Sequence, residues 1–405
     1  MKLVIAEKPS VAMALASVLG ARTRKDGYVE GNGYIVSWCV GHLVGLCDAS
    51  EYDEKYKRWR YEDLPIVPEQ WKHKVLDGTK KQFGILKKLM RDSKVDEVIC
   101  ATDAGREGEL IFRLVYEQAG CQKPMKRLWI SSMEEQAIKD GFASLKDGSS
   151  YDSLYQSALC RAKADWLVGI NASRLFSVLY NQNLKVGRVQ TPTLAMIVDR
   201  NQKIKEFTKE KYYMAHIKFD DMDAVTEHFQ KKEDADKVAA ECQERMCEVE
   251  KDDVKEKTVR PPKLYDLTTL QREANRMFGY TAQQTLDAVQ EMYEQKLVTY
   301  PRTDSQYLTD EMGESTETLI QMLLGKMPYA EGLEYHPDVS KVLNSKKVSD
   351  HHAIIPTMEV AKADIGELKE RSRKILYLIS ARVLTATADP YIYESHKCQI
   401  TCNYH

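Results

Sequence analysis

Four groups of residues have types and spacings suited to acid–base, metal or phosphoryl chemistry. The first is acidic. Glu7 follows the apolar run Leu3-Val4-Ile5-Ala6, Asp103 follows the apolar stretch 98–101, and Glu107 stands four residues later. Carboxylates that converge at strand ends can hold Mg²⁺, which takes oxygen ligands and often only one or two from the protein. On spacing alone, acids at a helix start equally serve the helix macrodipole. The second group is Tyr300-Pro301-Arg302-Thr303-Asp304. A tyrosine hydroxyl can attack phosphorus covalently, and the phosphotyrosine keeps the energy of the broken phosphodiester. Arg302 can reach phosphate oxygens with two N–H groups and offset their charge. Read singly, a tyrosine in a β segment is packing, and Pro301 marks a sheet edge.

The third group is Ser349-Asp350-His351-His352, directly before an apolar pair. Histidine there can relay a proton or meet phosphate near neutral pH, or simply cap a turn. The fourth is Lys185-Val186-Gly187-Arg188-Val189-Gln190, whose Arg and Gln around a glycine can approach a nucleic-acid backbone closely. Upstream, Arg161 and Asp165 share one helix face, which is also the spacing of a surface ion pair of small worth.

These groups need elements to hold them. Segments 2–7, 34–38, 97–103 and 126–131 read as strands, with helices after Ser10 and over 107–118. Strands alternating with helices predict a mostly parallel sheet, whose ligands bind at the carboxyl ends of the strands, where Glu7 and Asp103 stand. From 151 to 205 the chain carries eight Lys/Arg against three Asp, a net +5 that reads as helices with a basic face. Residues 211–260 are strand-like and highly charged around a helix at 232–245. Arg260-Pro261-Pro262-Lys263 marks a boundary. Beyond it, Leu267, Leu270, Ala274 and Phe278 make one amphipathic helix, and Leu286, Val289 and Tyr293 a second. Two helices followed by the β segment at 297–303 outline a winged helix.

Composition excludes several classes. The chain has 405 residues, 59 Lys+Arg and 61 Asp+Glu, for a net charge of −2, so it is not a globally basic nucleic-acid coat. With 43% hydrophobic residues it is too apolar for a disordered chain. No apolar run approaches the ~18–20 residues of a membrane helix, and the four apolar residues before Glu7 are too few for a signal peptide. The expected location is cytoplasmic, with no membrane partner. Nine irregularly spaced cysteines read as reduced thiols. Cys398 and Cys402, near His396 and His405, read as ordinary strand cysteines rather than a zinc site. No Gly-x-x-x-x-Gly-Lys-Ser/Thr loop occurs, so no nucleotide cofactor is expected.

In combination the motifs are specific. The stretches IAEKPS (5–10), ATDAGREGELI (101–111), RAKADWLVGINASR (161–174), VGRVQTPTL (186–194), LQREANRMFGYTAQQTLD (270–287), TYPRTDS (299–305) and DHHAIIPT (350–357) resemble, in order and over nearly the whole chain, the type IA DNA topoisomerases, bacterial topoisomerase III branch. The resemblance implies a multidomain α/β and α+β fold. Its parts would be a Toprim α/β domain (1–150), a helical DNA-groove domain (151–208) and a β-rich arch (209–263). A winged-helix-like domain carrying the nucleophile (264–388) and the start of the arch's return (389–405) would follow. It implies that Tyr300 is the nucleophile of a 5′-phosphotyrosine link, that Arg302 positions the scissile phosphate and that His351 assists by hydrogen bonding. Glu7 matches a glutamate of proton transfer or metal binding, and Lys8 a lysine near the scissile phosphate. Arg161, Asp165, the Lys185–Gln190 stretch and Asp304 match residues at the single-strand groove, and Trp59, in YKRWRYEDLPIVP (56–68), can stack on DNA or pack.

Two departures stand out. The family's acidic motif usually carries a second Asp where this chain has Gly105, so a Mg²⁺ held by Glu7 and Asp103, with or without Glu107, is expected to be single rather than paired. The family architecture also returns through arch and helical domain to close a ring, whereas this chain stops at His405, so an open, C-terminally truncated ring is expected. The activity implied is ATP-independent, Mg²⁺-dependent cleavage, strand passage and resealing of single-stranded segments in duplex or catenated DNA. The alternatives are another Toprim nuclease or primase, or a catalytically incomplete fragment that binds single strands.

Overall fold

The computed structural model describes residues 1–405 except 131–132, 220–221, 334, 349–350 and 403–405; Ser349, Asp350 and His405 thus lie outside the described residues. In chain order the first elements are β1 (Lys2–Ala6), α1 (Pro9–Leu19), β2 (Thr23–Lys25), β3 (Tyr28–Gly31), β4 (Tyr34–Trp38), β5 (Val44–Leu46), β6 (His73–Val75) and α2 (Lys80–Arg91). Then come β7 (Glu97–Ala101), α3 (Arg106–Ala119), β8 (Met125–Arg127), α4 (Glu135–Ala143), β9 (Lys146–Asp147), α5 (Asp152–Tyr180) and α6 (Gln190–Lys205). The remainder is β10 (His216–Phe219), β11 (Met222–Val225), α7 (Lys232–Cys242), β12 (Cys247–Val259), α8 (Leu267–Phe278), α9 (Ala282–Glu294), α10 (Gly313–Lys326), α11 (Glu370–Thr387) and β13 (Tyr391–Cys402).

The chain divides into two compact units, residues 1–191 with 262–388, and residues 192–261 with 389–405. The first is built on a seven-stranded sheet of order β2-β3-β4-β1-β7-β8-β9. Its centre is parallel: β1 pairs with β4 and β7, and β7 with β8. β1 is buried on both faces, as an apolar run in a parallel sheet must be. Leu3 and Ile5 join the core that holds Phe83, Leu86 and Phe112, whereas Val4 and Ala6 join the core around Leu15 and Ile138. That second core continues through Tyr265, Val289, Tyr300 and Ile379, so the Tyr300 segment is packed into the same apolar body as the sheet.

Local signals set the helices that follow. Asp266 caps α8 by accepting from Thr269 N at 2.6 Å, and Gly279 closes it with φ 70°. Thr281 and Gln284 form a reciprocal capping box at the start of α9. The β segment expected after α9 forms only an isolated bridge, Val298 with Pro356, instead of a ladder, and the 353–357 stretch bridges Tyr265 through Ile354. Pro301 and Pro356 lack the N–H a regular ladder needs. Thr299 replaces the missing bonds: its N donates to Ile355 O at 3.0 Å and its Oγ1 to Ala353 O at 3.1 Å. β8 is likewise shorter than the strand read at 126–131.

The second unit contains the β10–β11 hairpin, α7 and the long antiparallel pair β12–β13, paired from Cys247–Cys402 to Val259–Tyr391 with a register shift between Val249 and Lys251. Its small core gathers Ala215, Val238, Cys242 and Cys402. Cys402 is buried there, while Cys398 is exposed opposite Asp252 and His396 pairs with the same acid at 3.0 Å. Among the described residues no helix is long and apolar enough to cross a membrane.

Candidate active site

The register of β1 and β7 pairs Ala6 with Ala101, so the residues that follow emerge side by side at the carboxyl edge of the sheet. Asp103 N donates to Glu7 Oε2 at 3.2 Å. Tyr300, brought in by the segment after α9, donates its hydroxyl to Asp103 Oδ2 at 2.9 Å. A cavity of about 640 Å³ opens over these three side chains, and Lys8, Arg302 and His351 also line it. Three of the four groups read from the sequence, the acids, the Tyr300–Asp304 segment and His351, therefore line one cavity.

The electrostatics follow from burial. Burial, then the charge of Asp103, pushes the Glu7 carboxyl up to about 7, with the Asp103 N–H, Lys8 and Arg302 opposing. Burial also raises Asp103, against the pull of the Tyr300 hydrogen bond, Lys8 and Arg302. Burial and Asp103 lift the Tyr300 phenol well above its usual value, so it rests as a neutral hydroxyl. Burial, helped by His352, lowers His351 to about 4, so its imidazole is neutral at physiological pH. Its ring lies 4.3 Å from that of Tyr300, tilted 37°.

Several residues that position this site were not singled out by their types or spacing. Arg127 is fully buried at the end of β8; its Nη2 donates to Asp103 O at 2.7 Å and its Nη1 to Thr102 O at 2.7 Å. Its Nε lies 3.0 Å from Glu109, whose other oxygen accepts from Arg113 Nε at 2.8 Å. The available signal was a charge directly before the apolar run Leu128-Trp129-Ile130. Gly108 lets α3 pass close under the acid loop, because a Cβ there would sit 2.1 Å from Asp103 O. Tyr293 of α9 packs edge-on to Tyr300 at 5.4 Å, and Gln290, one turn earlier, accepts from Arg302 Nη1 at 3.0 Å. Helical periodicity marked α9 only as an amphipathic helix.

Glu107 lines the cavity, but its carboxylate accepts from His42 Nε2 at 2.7 Å, and that bond holds it below its ordinary pKa. Among the described residues, no three His, Cys, Asp or Glu side chains group as a metal cluster. The acids that stand together are Glu7 and Asp103, a half-buried pair of hard oxygen donors whose mutual repulsion a cation would relieve. Gly105 begins α3 with extended backbone, φ 174°.

Glu107 and Arg161 also line a second cavity of about 500 Å³, with Asp165 and Arg188, so the two hollows meet at those residues. Arg188 grips Asp165 with two bonds, 2.7 and 3.2 Å. The loop before it is stitched to α5: Leu184 N donates to Ser177 Oγ and Val186 N to Ser173 Oγ, each at 2.9 Å. Gly187 N donates to Thr191 Oγ1, and a Cβ at Gly187 would meet the Gln190 side chain at 2.8 Å. Lys185, Arg188, Val189 and Gln190 are exposed on this loop, and Asp304 is exposed on the cavity wall. Trp59 is 45% exposed, with the Arg174 guanidinium 5.3 Å from its ring centre. Asn171 of α5 holds that segment by bonding Ile66 N and O at 2.6 and 2.9 Å.

Comparison with known proteins matches this arrangement. A DNA topoisomerase family model covers residues 149–405, and a Toprim domain model covers 2–133. The chain belongs to the type IA DNA topoisomerase family. It is 43% identical over 418 residues to a DNA topoisomerase 3 of Shouchella clausii, covering 99% of this chain and 57% of that protein. It is 44% identical over 412 residues to one from Bacillus cereus, covering 96% of this chain and 55% of that protein. The chain thus spans a little over half the length of the curated topoisomerases it matches. Among solved structures it resembles full-length topoisomerase I from Thermotoga maritima, with a TM-score of 0.74, 24% identity and coverage of 99% of this chain and 63% of that one. The last similarity shows the fold.

Proposed function

We propose that this chain cleaves and reseals single-stranded DNA through Tyr300, as the catalytic portion of an ATP-independent topoisomerase. The observation that carries the reading is the Tyr300–Asp103 hydrogen bond at the floor of a cavity that also presents Arg302 and Lys8.

A single strand lies in the joined hollows, with Arg161, Arg188 and the Lys185–Gln190 loop meeting its backbone and Trp59 stacking on a base. Tyr300 Oη attacks the phosphorus as Asp103 accepts its proton. The Oη–P bond forms, the P–O3′ bond breaks, and O3′ takes a proton from Glu7, which is partly protonated near pH 7. Arg302 and Lys8 offset the charge that builds on the phosphate oxygens. Neutral His351 orients the phenol and phosphate by hydrogen bonding. The phosphotyrosine keeps the phosphodiester's energy, so the 3′-OH reseals the strand by the reverse steps without a nucleotide. Glu7 and Asp103 would hold Mg²⁺, with Glu107 joining on release from His42; the ion would supply positive charge that aligns the broken ends.

The test is a denaturing gel of the chain incubated with labelled single-stranded oligonucleotide and Mg²⁺. A covalent adduct that disappears in Tyr300→Phe is expected. Salt-sensitive binding without any adduct would leave a single-strand-binding chain, and cleavage that survives Tyr300→Phe would indicate a Toprim nuclease. Relaxation and decatenation assays with supercoiled and catenated DNA then test strand passage separately.

A further inference from the structure

A cluster in the first unit has no part in the cleavage chemistry. Tyr307 is half-buried, and two exposed lysines meet at it. Lys347 Nζ lies 3.4 Å from Tyr307 Oη and 4.7 Å from the ring centre. The Lys263 ammonium lies 5.4 Å from the same centre. Burial pushes the Tyr307 phenol up, but hydrogen bonding to Lys347 and Lys263 outweighs it and holds the group below its ordinary value. Among the described residues, neither ammonium has a carboxylate within 4.0 Å. Two cations that converge on one ring, with no described acid within 4.0 Å of either, offer a bound anion two opposite charges to meet.

The cluster is built onto the wall of the cleavage cavity. Thr303 Oγ1 donates to His351 O at 2.9 Å, Ser305 Oγ to Lys347 O at 2.9 Å, and Ala353 N to Tyr307 O at 2.9 Å. Thr303, Ser305 and Tyr307 on one side and Lys347, His351 and Ala353 on the other therefore set both His351 beside Tyr300 and Lys347 beside Tyr307. Lys263 comes from the chain just before α8, and that chain is tied in by Leu267 N donating to Thr303 O at 3.2 Å. Leu267 itself lines the cavity.

We propose that Lys263, Lys347 and the Tyr307 hydroxyl form a second phosphate-binding site, which holds a phosphodiester flanking the one Tyr300 attacks. The inference rests on the proposed DNA-cleaving function. Ammonium groups meet phosphate as point charges, and the phenol can donate one further hydrogen bond. None of the three groups reads a base edge in a fixed pattern, so the site is independent of sequence.

The test is fluorescence anisotropy with labelled oligothymidylate and oligoadenylate, in a Tyr300→Phe background of the full chain so that no strand is cut. Lys263→Gln with Lys347→Gln is compared with a charge-matched control, Lys87→Gln with Lys88→Gln on α2. The site predicts about five- to tenfold weaker binding of both oligonucleotides at ~0.1 M salt, with the log–log salt slope reduced by about 0.7, the value for one phosphate no longer neutralised. Thermal unfolding unchanged from the control separates a local loss of binding from damage to the fold. If the parent binds no oligonucleotide, the proposed function falls. If the parent binds and the double variant matches the control in affinity and slope, the second phosphate site alone is overturned.

Discussion

The Tyr300 hydroxyl donates to Asp103 Oδ2 at 2.9 Å, a bond between residues 197 apart in the chain. It sets a neutral phenol directly against the group that would take its proton in the proposed cleavage. Asp103→Asn keeps an acceptor oxygen there but removes the charge and the basicity. Adduct formation is expected to fall about 10²-fold or more in single-turnover measurements, the usual worth of a positioned base. Affinity for a single-stranded oligonucleotide should change by less than about twofold.

Glu7 predicts a pH dependence of stability. Its carboxyl is raised to about 7 in the folded chain, above an ordinary value of 4.5. Between those values the folded state holds a proton that the unfolded state has lost, so stability falls as pH rises through that window. The slope is at most about 1.4 kcal/mol per pH unit, shared with Asp103 because the two acids titrate as a pair. Melting temperatures in metal-free buffer from pH 5 to 8 should show the fall in the parent and a flatter profile in Glu7→Gln.

The backbone at Gly105, extended at φ 174° and ψ 173°, suits an aspartate as well as a glycine. The new carboxylate would start α3 as an N-cap and add an oxygen donor to the cavity wall. The Mg²⁺ concentration for half-maximal cleavage should decrease. An unchanged or increased requirement in a Mg²⁺ titration would count against a role for this position in metal binding.

Gly108→Ala should be costly although alanine is the better helix former. Its Cβ would meet Asp103 O at 2.1 Å, and that carbonyl is fixed from the other side by Arg127. Overpacking of this kind costs about 1–3 kcal/mol. A lower melting temperature is expected, together with loss of adduct formation as the acid loop moves away from Tyr300. A variant with parental stability and cleavage would show that the loop yields freely.

Local patterns carried much of the fold. The apolar run 3–6 and its neighbour at 98–101 gave buried parallel strands, and the acids just beyond them necessarily stand at the sheet's carboxyl edge. Asp266, Gly279 and Thr281 bounded α8 and α9 through capping chemistry that involves only near neighbours. The motif order was enough to relate the chain to its family. Each of these signals comes from backbone sterics, side-chain periodicity or short spacing, which act over a few residues.

Partners were a different matter. Tyr300 is one of 22 tyrosines, and nothing within a few residues of it shows that its hydroxyl meets Asp103. Glu107 has the spacing of a metal ligand, yet its carboxylate faces His42, 65 residues earlier. Arg127 reads as a charge in a short strand, and only packing shows it holding the carbonyls behind the acid loop. The sequence by itself determined the elements and the kinds of groups available. Which groups meet was decided by the tertiary structure, because charge and hydrogen bonding depend on separation and burial in space, and those are set by how distant segments pack.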